Sequence, residues 1–165
     1  MTKVLFVCLG NICRSPMAEA VFRDLIEKKG LTTDIMTDSA GTSGWHDGKP
    51  AHEGTIEILK KYDVSSDQLV SRKVTTADLT EFDYVIVMDD SNMEDLSAFG
   101  TPATTTHVGK LCDFIDNSLY DNVPDPYFTG DFNETYELVR AGCKGLLRFI
   151  QERGIEVDET ADTSY

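Results

Sequence analysis

Four cysteines, five prolines, three histidines and one tryptophan in 165 residues leave little material for staples or metal sites. Cys8, Cys13, Cys112 and Cys143 are irregularly spaced, which fits reduced thiols in a cytoplasm and not a disulfide framework. His46, His52 and His107 fall at no metal-ligand spacing and read as loop or surface residues, so neither metal nor cofactor is expected. No apolar run approaches the length of a membrane span, which argues against membrane insertion. No signal peptide is expected either, since Met1-Thr2-Lys3 runs straight into the first strand; a secretion route that needs no such peptide stays open. Basic residues are scarce: 15 Lys and Arg face 29 Asp and Glu, for a net charge of −14. That balance excludes nucleic acid and anionic membrane as main partners.

What is present is enough for one domain with a substantial core, expected over residues 1–155, with an acidic, frayed tail over 156–165. Strands and helices alternate. The expected strands are Lys3–Val7, Ile35–Ser39, Phe82–Met88 and Thr105–Val108; the expected helices are Ser15–Lys29, His52–Tyr62, a short one capped by Asp89, and Phe132–Arg153. Asp63–Thr75 reads mostly as loop. The pattern predicts a single three-layer α/β/α domain, a four-stranded parallel sheet of order 2-1-3-4 with helices on both faces. In such folds ligands bind beyond the carboxyl ends of the strands. Cys8, Ser39 and Met88-Asp89 close three strands at that rim, and the Pro124-Asp125-Pro126 loop follows the fourth.

The densest chemistry lies in Val7-Cys8-Leu9-Gly10-Asn11-Ile12-Cys13-Arg14-Ser15-Pro16. A buried strand ends on a cysteine, Gly10 and Asn11 tolerate left-handed backbone, and Ser15-Pro16 reads as an N-cap and first helical residue. Successive N–H groups and a helix N-terminus then aim at one point, an anion cradle. A cysteine at its base sits in a positive field as a thiolate, and Arg14 is placed to grip two phosphate oxygens. An anionic substrate must approach an acidic protein, but at physiological salt the Debye length is only about 8 Å, so local donors outweigh the distant charge.

Together with Asp125-Pro126-Tyr127, Asp38-Ser39-Ala40 and Met88-Asp89-Asp90-Ser91-Asn92, this stretch resembles the low-molecular-weight protein tyrosine phosphatases, most of all their bacterial branch. The resemblance covers nearly the whole chain. It implies that Cys8 attacks phosphorus and becomes a phosphocysteine, while Arg14 and the loop amides from Leu9 through Gly10, Asn11, Ile12 and Cys13 to Ser15 hold the equatorial oxygens. It further implies that Asp125 protonates the departing tyrosyl oxygen and later activates water. Ser15 would donate to the Cys8 sulfur, and Asn11 would hold the loop in shape through Ser39. Trp45, Tyr127 and Phe128 become aromatic walls around a substrate ring, with Ile12 an apolar floor. Cys13 becomes a redox partner that could shelter Cys8 as a disulfide. The implied partner is a phosphotyrosine protein or peptide, and the product inorganic phosphate.

Two departures stand out. The family often has a histidine shortly before its Arg-x-Val segment, supporting the loop asparagine; here Ser66-Asp67-Gln68-Leu69-Val70-Ser71-Arg72 has none, so the support is missing or comes from Gln68. The second of the family's paired tyrosines is replaced by Phe128. Three alternatives remain: a protein arginine phosphatase, whose members carry threonine where Ile12 stands; an arsenate reductase, for which Cys112 and Cys143 lie too far along the chain; and a non-catalytic phosphate-binding module.

Overall fold

The computed structural model describes residues 1–154, so the expected acidic tail lies outside the described residues. Strand β1 (Thr2–Cys8) leads to helix α1 (Arg14–Lys28), β2 (Ile35–Gly41) and α2 (Glu53–Lys61). After the short α3 (Asp78–Glu81) come β3 (Tyr84–Val87), α4 (Asp90–Leu96) and β4 (His107–Lys110). A one-turn α5 (Pro126–Thr129) precedes the long α6 (Phe132–Glu152). The sheet has order β2-β1-β3-β4 and every pairing is parallel.

Alternation along β1 divides the core. Val4, Phe6 and Cys8 face α1 and α6, joining Phe22, Val139 and Leu146, while Leu5 and Val7 face the other side with Leu79, Val85, Val87 and Leu96. Each large aliphatic or aromatic side chain so buried contributes about 1.5–3 kcal/mol. The central strand is thus fixed from both faces, and its last residue, Cys8, is carried to the rim with little freedom.

Element ends differ from expectation for local reasons. Helix α1 begins at Arg14, with Cys13 as N-cap, so Ser15 is no cap and Pro16 occupies the third helical position. Proline is tolerated there because the first turn's N–H groups have no intrahelical acceptor. β2 runs on to Gly41, whose missing side chain matters: a Cβ would lie 2.7 Å from the Leu9 carbonyl oxygen. β4 starts later than expected because Thr106 turns its hydroxyl to the carbonyls of Leu79 and Phe82. His52 caps α2 from outside, its Nδ1 accepting from Gly54 N.

Helix α6 approaches the β4–α5 connection through two glycines. A Cβ on Gly142 would meet Leu111 at 2.4 Å, and one on Gly145 would lie 1.8 Å from the Phe114 carbonyl oxygen. Gly145→Ala should therefore cost about 3 kcal/mol or more, since backbone must move. Gly130→Ala, at φ 76 but in open space, should cost only about 1–2 kcal/mol. Urea denaturation of both variants checks the ranking, and equal losses would refute the close α6 contact.

Candidate active site

The loop between β1 and α1 is turned so that the carbonyls of Cys8, Leu9, Gly10, Ile12 and Cys13 find partners outside it. Cys8 O accepts from Thr42 N, Leu9 O from Ser43 N and Oγ, and Gly10 O from Ser71 Oγ. Ile12 O accepts from His52 N at 2.7 Å, and Cys13 O from Thr55 Oγ1. In contrast, none of the amide N–H groups from Leu9 to Ser15 reaches a backbone acceptor among the described residues. A loop with engaged carbonyls and free amides is a preformed anion cradle at a helix start.

Asn11 holds this shape. Its φ is 54°, the left-handed region, and its side chain is almost wholly buried. Oδ1 accepts from Arg72 N, while Nδ2 donates to Ser15 Oγ at 2.8 Å and to Ser39 Oγ at 3.0 Å. Ser15 Oγ in turn lies 3.0 Å from Cys8 Sγ. Of the two alternatives for the absent histidine, Gln68 does not supply the support: it is exposed, with a left-handed backbone of its own. Glu19 on α1 stands in its place, accepting from Ser39 Oγ at 2.6 Å.

Arg14 is 2 % exposed. Its Nη1 donates to Asp89 Oδ2 at 2.6 Å and to the Val123 carbonyl at 2.9 Å, and Nη2 lies 3.4 Å from Asp125 Oδ2. Burial opposes its charge, but the Cys8 sulfur and the two carboxylates outweigh burial and hold the guanidinium protonated above its ordinary range. Nε, also buried, has no partner among the described residues, a donor that an oxyanion would satisfy. Asp125 caps α5 through Oδ1, which accepts from Tyr127 N, so the turn between two prolines and the aimed carboxylate are one feature.

A cavity of about 130 Å³ opens over Cys8. Ile12 and Cys13 line it near the loop, Asp125 on one side, and Trp45, Tyr127 and Phe128 around the mouth. Trp45 and Phe128 are 72 % and 76 % exposed, free to meet a ligand. His46 also lines the cavity, against the backbone of Gly10, and His52 meets Tyr127 edge to face. The loop or surface reading of these histidines does not extend to a cavity contact, nor does the helix-cap reading of Asp89 extend to its bond with Arg14. Burial pushes the Cys13 thiol up to about 12 and the Cys112 thiol up to about 11; Cys143, fully buried, is raised further. Among the described residues no His, Cys, Asp and Glu cluster could hold a metal ion.

The low molecular weight phosphotyrosine protein phosphatase family model matches residues 3–156. The chain belongs to that family. It is 51 % identical over 152 residues to the low molecular weight protein-tyrosine-phosphatase YfkJ of Bacillus subtilis, covering 92 % of this chain and 97 % of that one. The crystal structure of YfkJ superposes with a TM-score of 0.90, covering 93 % of this chain and 97 % of that one. The phosphatase PtpA of Staphylococcus epidermidis is 42 % identical over 150 residues, 91 % of this chain and 94 % of that one. A drosophila arginine phosphatase is 34 % identical, covering 90 % of this chain and 97 % of that one, with a TM-score of 0.81. The tyrosine phosphatase fold therefore accounts for the parallel sheet of order 2-1-3-4 and for a cysteine and arginine in one phosphate loop.

Within this family member, Glu19 makes stability depend on pH. Burial, reinforced by Asp38 and only partly offset by Ser39, Arg23 and Arg72, raises its carboxyl to about 7. The folded state then binds a proton that the unfolded chain releases near pH 4.5, so this contribution is lost as pH climbs from about 4.5 to 7. Relative to Glu19→Gln, the parent should lose on the order of 3 kcal/mol across that window. Parallel pH dependences of the two denaturation curves would show that Glu19 does not titrate there.

Proposed function

We propose that this chain is a protein-tyrosine phosphatase working through a phosphocysteine on Cys8. The observation that carries the reading is the loop itself: engaged carbonyls, free amides from Leu9 to Ser15, and a buried Arg14 pinned by Asp89 and the Val123 carbonyl. In the first step the Cys8 sulfur attacks in line, forming S–P as the P–O bond to the tyrosyl group breaks. Arg14 and the loop amides stabilise the charge on the equatorial oxygens. Asp125 delivers its proton to the departing phenolate oxygen. Water then attacks the phosphocysteine, Asp125 takes back a proton, and the S–P bond breaks to release inorganic phosphate. Ser15, hydrogen-bonded to Sγ, stabilises the sulfur as attacking and leaving group. No step calls for a metal or cofactor.

The substrate is a phosphotyrosine protein or peptide. Trp45, Tyr127 and Phe128 offer faces for an aromatic ring, and Ile12 gives an apolar floor where a threonine would suit the phosphoarginine readers. Phosphoarginine is the second reading, favoured by the likeness to the drosophila arginine phosphatase. Cys13 shares the cavity; after peroxide oxidises Cys8 to a sulfenic acid, condensation with the Cys13 thiol would expel water and leave a protective disulfide. Four free thiols suit a reducing cytoplasm. No helix of the described residues is long and apolar enough to cross a membrane, and the acidic surface argues against nucleic acid.

Phosphate release from matched phosphotyrosine and phosphoarginine peptides decides between the substrates. Release from phosphotyrosine alone is expected, with Cys8→Ser silent; turnover by Cys8→Ser would remove Cys8 as nucleophile. Asp125→Ala should lower kcat by about 10²- to 10⁴-fold on aryl phosphates with poor leaving groups and far less on activated esters. Equal losses on both would end the general-acid assignment.

A further inference from the structure

We propose that Glu19 is a positioning residue for the Cys8 reaction, acting through a chain of hydrogen bonds that runs by way of Ser39, Asn11 and Ser15 to the sulfur. The proposal rests on the phosphatase reading above. Donor counting gives the chain its direction. Arg72 N donates to Asn11 Oδ1, which settles which end of the amide is nitrogen. The two protons on Asn11 Nδ2 go to Ser15 Oγ and Ser39 Oγ, so each serine oxygen is already an acceptor. Each must then place its own proton elsewhere. That of Ser15 goes to Cys8 Sγ at 3.0 Å, with the Ala40 carbonyl at 3.5 Å a poorer choice. That of Ser39 goes to Glu19 Oε1 at 2.6 Å, a short, charge-assisted length.

Asn11 is therefore the centre of two arms, one ending on the nucleophile and the other on Glu19. Without an acceptor there, the Ser39 hydroxyl would be a buried donor with nowhere to bond, and the easiest relief is to turn it toward Asn11, breaking the arm. Glu19 is 6 % exposed, and its ion pair is with Arg23, one-quarter exposed on the next turn of the same helix. From its own helix Arg23 reaches Oε2 at 3.2 Å but also serves the Asp67 carbonyl. From β2 comes Asp38, a like charge, and from the loop before α3 comes Arg72, committed to Asp38 and Asp78. Burial, with Asp38 beside it, raises the carboxyl to about 7 against the opposing pull of Ser39, Arg23 and Arg72. In the ionised state the Ser39 bond strengthens and polarises the bonds beyond it, and a negative charge at the far end raises the electron density that the sulfur retains.

The test is the rate of Cys8 alkylation by iodoacetamide against pH from 5 to 9, read at Cys8 by fragmentation mass spectrometry. In the parent an extra rise centred near pH 7, about two- to threefold because nucleophilicity follows basicity, is expected. It should be absent in Glu19→Gln, which keeps an acceptor but no charge, and in Ser39→Ala, which keeps Glu19 but cuts the chain. If Glu19→Gln fails to fold, Ser39→Ala alone decides. Phosphotyrosine hydrolysis by the parent is followed alongside. Coincident alkylation profiles in an active parent overturn the role of Glu19, whereas an inactive parent overturns the phosphatase reading beneath it.

Discussion

Everything at the site hangs on one residue held in an uncomfortable backbone state. Asn11 at φ 54° is what lets the chain turn its carbonyls out and its amides in between β1 and α1. Such a conformation costs a non-glycine residue about 1–2 kcal/mol, and Asn11 offsets it with bonds to Ser15, Ser39 and Arg72. Glycine would adopt the same angle more easily but could not tie the loop to β2 and to the Arg72 segment. The strain is tolerable because the neighbours are rigid: β1 is buried on both faces, and Gly41 lets β2 pass against the loop without collision.

The second constraint is economy of carboxylates. Asp89 caps α4 through Oδ1 and pins Arg14 through Oδ2, so one side chain fixes a helix start and the guanidinium's orientation together. Asp125 does likewise for α5 and the cavity. Arg14 thereby joins three separate pieces of chain: the β1 loop, the end of β3 and the 123–125 loop. A shift in any of them displaces the same donor, which couples the packing of remote elements to the geometry of the phosphate cradle.

How much of this was legible in the sequence varies with the range of the interactions. The parallel sheet, Cys8 at a strand end and the Asp89 cap follow from local pattern, where turn chemistry and burial agree; for Asp125 local pattern reads only a turn between two prolines, and the acid role comes from the family resemblance. The N-cap of α1 lies at Cys13, two residues before the Ser15 that the Ser-Pro pair suggests, because Ser15 is claimed by the sulfur and by Asn11. Glu19 was hidden for a different reason. On α1 it sits among apolar positions as one charge, and only the packing of α1 on β2 brings it to Ser39. The same holds for His46 and for Asp89 as an anchor, since no spacing in the sequence encodes a contact between loops.

The formal charges at the site do not favour an anion as plainly as its name suggests. Arg14 is matched by Asp89 and faced by Asp125, so the side chains alone carry no surplus of positive charge around Cys8. Attraction for a dianionic phosphate must then come from the loop amides and the start of α1, donors that the protein's overall charge of −14 cannot cancel beyond a Debye length of about 8 Å. A general acid delivers its proton only from its neutral form. In the proposed mechanism that acid is Asp125, so the proton given to the leaving group also removes one of the two charges set against the phosphate, and substrate binding and leaving-group activation draw on the same side chain. An acidic surface and an anionic substrate are thus compatible as long as the backbone, held by Asn11, supplies the field.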